Sequence, residues 1–188
     1  NPGYFVNPSL HVYLVWSVVK LAYTLHPGRV VQLSLHRIVP LTDPTHPDRA
    51  LQFLATRLAR GLSVLFATAT VWLLYVLGRR HGDELTGLLA GALGAVTMAM
   101  VNFAHFATPE SLLALLTLSV LATCDPIVVR ARWQDYLWAG ALVGLACSTK
   151  YTAWLLALPF LVAHLAGRGV RAGLSARGLG WLVAGGAT

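Results

Sequence analysis

The chain has 188 residues, of which 56% are hydrophobic and only 11% are charged, and its mean hydropathy is +0.65. Soluble domains carry about 25% charged residues, so this composition excludes a disordered chain, a nucleic-acid-binding module and an ordinary cytosolic enzyme. It predicts an integral membrane protein, in which the formal net charge of +7 reflects Lys and Arg gathered in loops. The chain begins at Asn1 and ends within an apolar run, which we interpret as an internal piece of a longer protein.

Residues 1–54 differ from the rest of the chain, because they hold most of its prolines. Within this segment Ser9–Leu25 is apolar but mixed, and Ser9 after Pro8 suits a helix N-cap. The Ser9–Leu25 helix is either a membrane span or an interfacial helix that lies along the outer surface of the membrane. We favour the interfacial helix, which makes 1–54 an extracytoplasmic first-loop segment ahead of a transmembrane part over 55–188.

Five apolar runs and a truncated sixth predict an all-α fold, a polytopic bundle of transmembrane helices. They are Ala55–Leu77, Leu85–Phe103, Ser111–Cys124, Trp138–Cys147, Tyr151–Leu165 and a run that starts near Leu179. The motif His105–Glu110 interrupts the second run, and Asp125–Pro126 ends the third. The small-residue patterns Gly87–Gly91 and Gly140–Gly144 predict that helices approach each other closely there.

Basic residues set the predicted orientation of these spans. Half of the 14 Lys and Arg fall in three loops on one side, which are 78–84, 125–135 and 167–177. The two short loops on the other side hold only Lys150. Because basic loops stay in the cytoplasm, residues 1–54, the motif His105–Glu110 and Lys150 are predicted to face outward.

Polar groups beside hydrocarbon are costly, so each outward one needs a partner or a purpose. Glu110 precedes an apolar run, where a carboxylate either stabilises the first turn of a helix or serves a site. Arg57 and Arg60 share one helix face and either clamp a phosphate or extend toward lipid headgroups. Lys150 is alone between two short runs, which suits either a phosphate partner or plain exposure at the membrane interface.

The sequence contains no metal-binding or nucleotide-binding motif. His105 and Glu110 are five residues apart, which is not the spacing of helical metal ligands, and the other histidines, such as His11, are scattered. No cofactor is therefore predicted, although a divalent metal held between different loops stays open. The lack of GxSxG and Walker A patterns argues against serine hydrolysis and against an ATP-driven pump.

The order of these features resembles the N-terminal membrane part of the GT-C glycosyltransferases. The most similar group is family 39, which includes protein O-mannosyltransferases and lipid A aminoarabinose transferases. The resemblance covers nearly the whole chain. It rests on five motifs, which are Asn1–Leu10, Arg57–Arg60, Leu77–Arg80, His105–Ser111 and Ser148–Ala153.

The resemblance implies a multi-pass enzyme of the bacterial plasma membrane that moves a sugar with inversion at the extracytoplasmic side. The donor would be a polyprenyl-phosphate-linked sugar, and the acceptor a protein, lipid or glycan. The catalytic Asp of the family precedes the region that matches Asn1–Leu10. We therefore expect it upstream of Asn1 and expect this chain alone to be inactive.

The same resemblance suggests roles for individual residues. Glu110 matches a second acidic position of the family and would support the acceptor. Arg57 and Lys150 match basic positions that would bind the donor phosphate, together with Arg60. His105 and Tyr151 lie in the same motifs and complete the candidate site residues, for which we predict no metal ligand. The alternative function is a transporter or flippase module for a lipid-linked anion, which also needs outward basic groups and a carboxylate.

Overall fold

The computed structural model describes residues 10–25, 47–168 and 183, and within them it contains helices and no strands. The predicted all-α class is therefore confirmed for the described part of the chain. The α-helices are α1 Leu10–Leu25, α2 Pro47–His81, α3 Glu84–Val96, α4 Met98–His105, α5 Glu110–Val129, α6 Trp133–Thr149 and α7 Ala157–Arg168. A 3₁₀ helix over Tyr151–Leu156 leads directly into α7. The run predicted to start near Leu179 lies outside the described residues, apart from Val183.

Two of the described helices are long and apolar enough to cross a membrane, over Leu54–His81 and Glu110–Val129. A third crossing results if α3 and α4 are counted as one bent span. The fourth and fifth predicted spans correspond to α6, with 17 residues, and to the 3₁₀ helix followed by α7, with 12 residues in α7. Both are short for a bilayer about 30 Å thick, so these two crossings stay predictions.

The second apolar run, expected as one helix, is two helices that meet at an angle of 54°. Thr97 separates them, because its backbone is extended at φ −64° and ψ 119°. Its hydroxyl donates to the Leu93 carbonyl at 2.7 Å and its N–H donates to Gly94. These two bonds satisfy carbonyls of the last turn of α3 where the backbone leaves the helical conformation, and a hydropathy pattern does not register them.

The third run was expected to end at Asp125–Pro126, and this boundary is wrong. Helix α5 continues through Pro126 to Val129. Proline lacks the N–H that would bond the preceding turn of the helix. Pro126 lies close to the end of α5, so only a short stretch of helix follows this missing bond. The Pro126 carbonyl then accepts from the N–H groups of both Arg130 and Ala131, which closes the helix.

Two other helices begin earlier in the chain than the apolar runs that predicted them. Helix α2 begins at Pro47, but its candidate membrane span begins at Leu54, one residue before the predicted start of the first run. Helix α6 begins at Trp133 rather than Trp138. In both helices, polar residues that read as loop in the sequence extend the helix beyond its apolar stretch. The domain boundary at residue 54 stays a prediction.

Helix α5 lies at the centre of the described bundle and contacts α2, α6 and α7. Helix α3 packs against α2 so closely that a Cβ built on Gly87 would lie 2.7 Å from the Tyr75 carbonyl oxygen. This agrees with the close approach predicted from Gly87–Gly91. Gly144 differs, since among the described residues no heavy atom lies within 4 Å of its Cβ position.

Candidate functional site

The structure joins two of the predicted site residues in an ion pair. Glu110 is the first residue of α5, where the positive end of the helix dipole favours a carboxylate. Lys150 lies in extended conformation between α6 and the 3₁₀ helix. Its Nζ donates to Glu110 Oε1 at 3.2 Å, although forty residues separate the two in the chain. The side chains keep 34% and 26% of their exposure, so the pair is accessible from outside the bundle.

The turn that leads into Glu110 has an uncommon backbone conformation. Ala107 has φ 56°, which a residue with a Cβ rarely adopts. Pro109 follows with φ −66° and caps α5 without a side-chain hydrogen bond, and its carbonyl accepts from Leu113. Glu110 therefore begins α5 only three residues after the strained residue Ala107.

His11 of α1 contacts this turn, and its role was missed from the sequence. Its Nε2 lies 3.2 Å from the Ala107 carbonyl oxygen, across 96 positions of the chain. A carbonyl only accepts, so Nε2 carries the hydrogen and Nδ1 is left as an acceptor. Burial lowers the pKa of His11, although the bond to Ala107 and the charge of Glu110 act in the opposite direction. The only sequence signal was a histidine placed in an apolar helix.

The remaining predicted site residues do not join this pair through a described contact. Arg57 and Arg60 lie exposed on α2. The His105 ring packs edge-on against Phe106, with ring centroids 5.4 Å apart. His105 also lines an open, mostly apolar groove of about 530 Å³ between α2 and the α3–α4 bend. Tyr151 is 61% exposed. For these four residues a role in the site stays a prediction.

The described residues contain no group of three or more His, Cys, Asp and Glu side chains that could hold a metal ion. Glu110 has Lys150 as its partner, and the ammonium already supplies the positive charge that a carboxylate needs. The divalent metal that the sequence left open therefore has no set of ligands among the described residues.

The opposite end of the bundle carries a second group of charged side chains. Asp125 near the end of α5 forms ion pairs across the bundle, with its Oδ2 at 3.0 Å from His81 Nε2 and 3.5 Å from Arg80 Nε. These contacts tie the last turn of α2 to α5. They also show that the cluster of basic residues predicted to face the cytoplasm and the Glu110–Lys150 pair lie at different ends of α5.

The chain was also compared with known proteins. The profile of the dolichyl-phosphate-mannose-protein mannosyltransferase family matches residues 54–187. No curated protein and no solved structure is similar enough to count as a match. The matched region begins near the start of α2 and includes both Glu110 and Lys150. The chain therefore belongs to the dolichyl-phosphate-mannose-protein mannosyltransferase family, a group of membrane glycosyltransferases of the GT-C type.

Proposed function

We propose that this glycosyltransferase moves a sugar from a polyprenyl-phosphate donor to an acceptor hydroxyl at the extracytoplasmic side of the bacterial plasma membrane. The observation that carries the proposal is the Glu110–Lys150 pair, which places a carboxylate and an ammonium 3.2 Å apart at one end of the bundle. The family membership of the chain supports the choice of a lipid-linked donor.

The distribution of charge supports the proposed orientation. Arg79 and Arg80 end α2, and Arg130 and Arg132 lie between α5 and α6, all at the end opposite to Lys150. Basic segments are retained in the cytoplasm. The pair at the other end then faces the extracytoplasmic side, where a lipid-linked sugar would be presented.

Each charged group of the pair has a separate task in this proposal. An ammonium has three N–H donors and uses one of them on Glu110, so Lys150 can donate the others to the donor phosphate. Arg57 and Arg60 on α2 add positive charge for the same phosphate. Glu110 keeps Lys150 in place and accepts a hydrogen bond from the acceptor or from a polar group beside it.

The reaction itself is a displacement with inversion. A base removes the proton of the acceptor hydroxyl, and the oxygen forms a bond to the anomeric carbon on the face opposite to the phosphate. The bond from this carbon to the phosphate oxygen breaks, and the polyprenyl phosphate leaves with the electron pair. Lys150 stabilises the negative charge that grows on the leaving phosphate. We assign the base to no residue of this chain.

Turnover of the full-length protein in lipid vesicles tests the proposal, with a radiolabelled polyprenyl-phosphate mannose as the donor. Glu110→Gln should reduce turnover on the order of a hundredfold at an unchanged amount of folded protein, because in this proposal the carboxylate assists proton transfer from the acceptor hydroxyl. Lys150→Met should raise KM for the donor and also lower kcat, because Lys150 both binds the donor phosphate and stabilises the charge that grows on it. The control is Glu84→Gln, which changes a first-turn carboxylate that is 73% exposed at the other end of the bundle.

The proposal fails if Glu110→Gln and Glu84→Gln leave turnover equally intact. Movement of the labelled lipid across the vesicle membrane without transfer of its sugar would instead favour the transporter or flippase.

A further inference from the structure

Helix α1 reaches the candidate site through one side chain that the proposed function does not use. His11 is only 8% exposed, and its Nε2–H donates to the Ala107 carbonyl at 3.2 Å. Its neighbour Val12 is 65% exposed, so α1 turns His11 toward the bundle. The imidazole is buried and donates its one hydrogen to a carbonyl that is distant in the sequence, so we interpret this hydrogen bond as a specific contact and not as incidental packing.

The carbonyl that His11 binds belongs to the strained residue of the turn. Ala107 has φ 56°, and a conformation of this kind persists only when the surrounding structure enforces it. Three residues later the chain reaches Glu110, whose Oε1 lies 3.2 Å from Lys150 Nζ. A change in the backbone at Ala107 would therefore redirect the carboxylate relative to its ammonium partner.

The same turn of α1 also packs on the elements that carry both members of the pair. Leu10 and Leu14 lie on either side of His11 in the sequence and contact an apolar cluster at this end of the bundle. The buried members of that cluster come from α5, α6 and the 3₁₀ helix, and they are Leu112, Leu116, Ala146 and Ala153. Helix α1 therefore packs on the same elements that hold Glu110 and Lys150.

We propose that His11 is a positioning residue of the candidate site, which holds the turn at Ala107 and thereby fixes Glu110 against Lys150. The proposal rests on the proposed function for its catalytic consequence. It makes α1 a functional part of the site rather than only a helix at the membrane surface.

Two substitutions at His11 test this role in the full-length protein. His11→Leu fills a similar volume but cannot donate, and it should lower kcat roughly tenfold with KM changed less than about twofold. His11→Gln has an amide N–H at a similar reach and should stay within about threefold of the wild-type kcat. Ala107→Gly should recover part of the loss in the His11→Leu background, because glycine adopts a positive φ without strain.

A control separates positioning from a general loosening of α1. Leu14→Ala removes an apolar contact of the same helix and keeps the hydrogen bond. The proposal is overturned if Leu14→Ala lowers kcat as much as His11→Leu at equal thermal stability. It is also overturned if Leu and Gln at position 11 have the same effect.

Hydrogen exchange of residues 106–113 gives a readout that needs no sugar transfer. His11→Leu should speed amide exchange across this segment by about tenfold relative to His11→Gln, because the turn loses its clamp. Faster exchange in a protein that transfers no sugar would keep the structural role of His11 and reject the proposed function. Unchanged exchange in a protein that does transfer sugar would reject the positioning role alone.

Discussion

Glu110→Gln and Lys150→Met, made singly and together, measure how strongly the two charges stabilise each other. The glutamine keeps the shape of the side chain and one acceptor oxygen but removes the charge, and the methionine keeps the length of the lysine stem. The double-mutant cycle isolates the coupling between the two charges. The interaction of Glu110 with the dipole of α5, about 0.3–1 kcal/mol, does not involve Lys150 and cancels in the cycle.

The expected coupling follows from the distance and from the exposure of the pair. Two unit charges 3.2 Å apart attract by about 5 kcal/mol at an effective dielectric constant of 20 and by about 1 kcal/mol in water. The side chains are 34% and 26% exposed, so solvent screens part of this attraction. The partial desolvation of the two charges lowers the net interaction further. We expect a coupling of about 1–2 kcal/mol in the free energy of unfolding, above the range of about 0.2–1 kcal/mol for exposed pairs.

The assay is equilibrium unfolding of the full-length protein in mixed micelles, followed by tryptophan fluorescence. Arg79 and Glu84 serve as the control pair, because their nearest atoms are 3.7 Å apart and their side chains are 57% and 73% exposed. Their coupling should be clearly smaller than that of Glu110 and Lys150, because solvent screens an exposed pair. A coupling between Glu110 and Lys150 no larger than that of the control pair would refute the geometry of the site. It would leave Glu110 as a first-turn carboxylate only.

Three further outcomes test other parts of the structure. Gly87→Ala should lower the free energy of unfolding by about 1–2 kcal/mol, since a Cβ would lie 2.7 Å from a backbone carbonyl oxygen of α2. Gly91→Ala, with its nearest atom at 3.4 Å, should change it by less than about 0.5 kcal/mol; equal losses would contradict the packing of α3 on α2. Tyr136→Phe should cost about 1–2 kcal/mol, because it removes the 2.8 Å bond to the buried His164 Nδ1, and an unchanged unfolding curve would show that this bond contributes nothing. His11 has a lowered pKa in the folded protein, so the unfolded state takes up its proton first and stability falls as the pH drops below about 6.5. The unfolding temperature of the wild type should therefore fall further between about pH 8 and pH 5.5 than that of His11→Gln, and parallel curves would disprove the linkage.

Composition and hydropathy predicted the class of the fold and assigned Glu110 and Lys150 to the same side of the bundle, although not their contact, for a physical reason. Hydrocarbon excludes charge, so the few charged residues of an apolar chain collect at the ends of its helices. Glu110 and Lys150 both interrupt apolar runs at ends of the same predicted sidedness. Their contact, at 3.2 Å, follows from that shared end and from the packing of α6 on α5.

Hydropathy failed where hydrogen bonds set the backbone. The break at Thr97 occurs inside an apolar stretch that has no proline, where the Thr97 backbone is extended and its N–H bonds the Gly94 carbonyl. At Pro126 the opposite occurred, and a residue that usually ends a helix is tolerated close to the last turn of α5. Both outcomes depend on which carbonyls have partners, and an average of side-chain hydropathy contains no information on that.

The contact of His11 with Ala107 could not be predicted for a different reason, since it joins residues 96 positions apart. The sequence did suggest that α1 lies along the membrane, and its surface is compatible with that position: Val12, Tyr13 and Trp16 are all more than half exposed. An outward face this apolar suits lipid, while His11 faces the bundle. One helix can therefore lie at the membrane surface and position the turn before Glu110 at the same time. If it does both, a substitution on the outward face, such as Trp16→Ala, should weaken membrane contact without altering exchange at residues 106–113, whereas His11→Leu should alter that exchange.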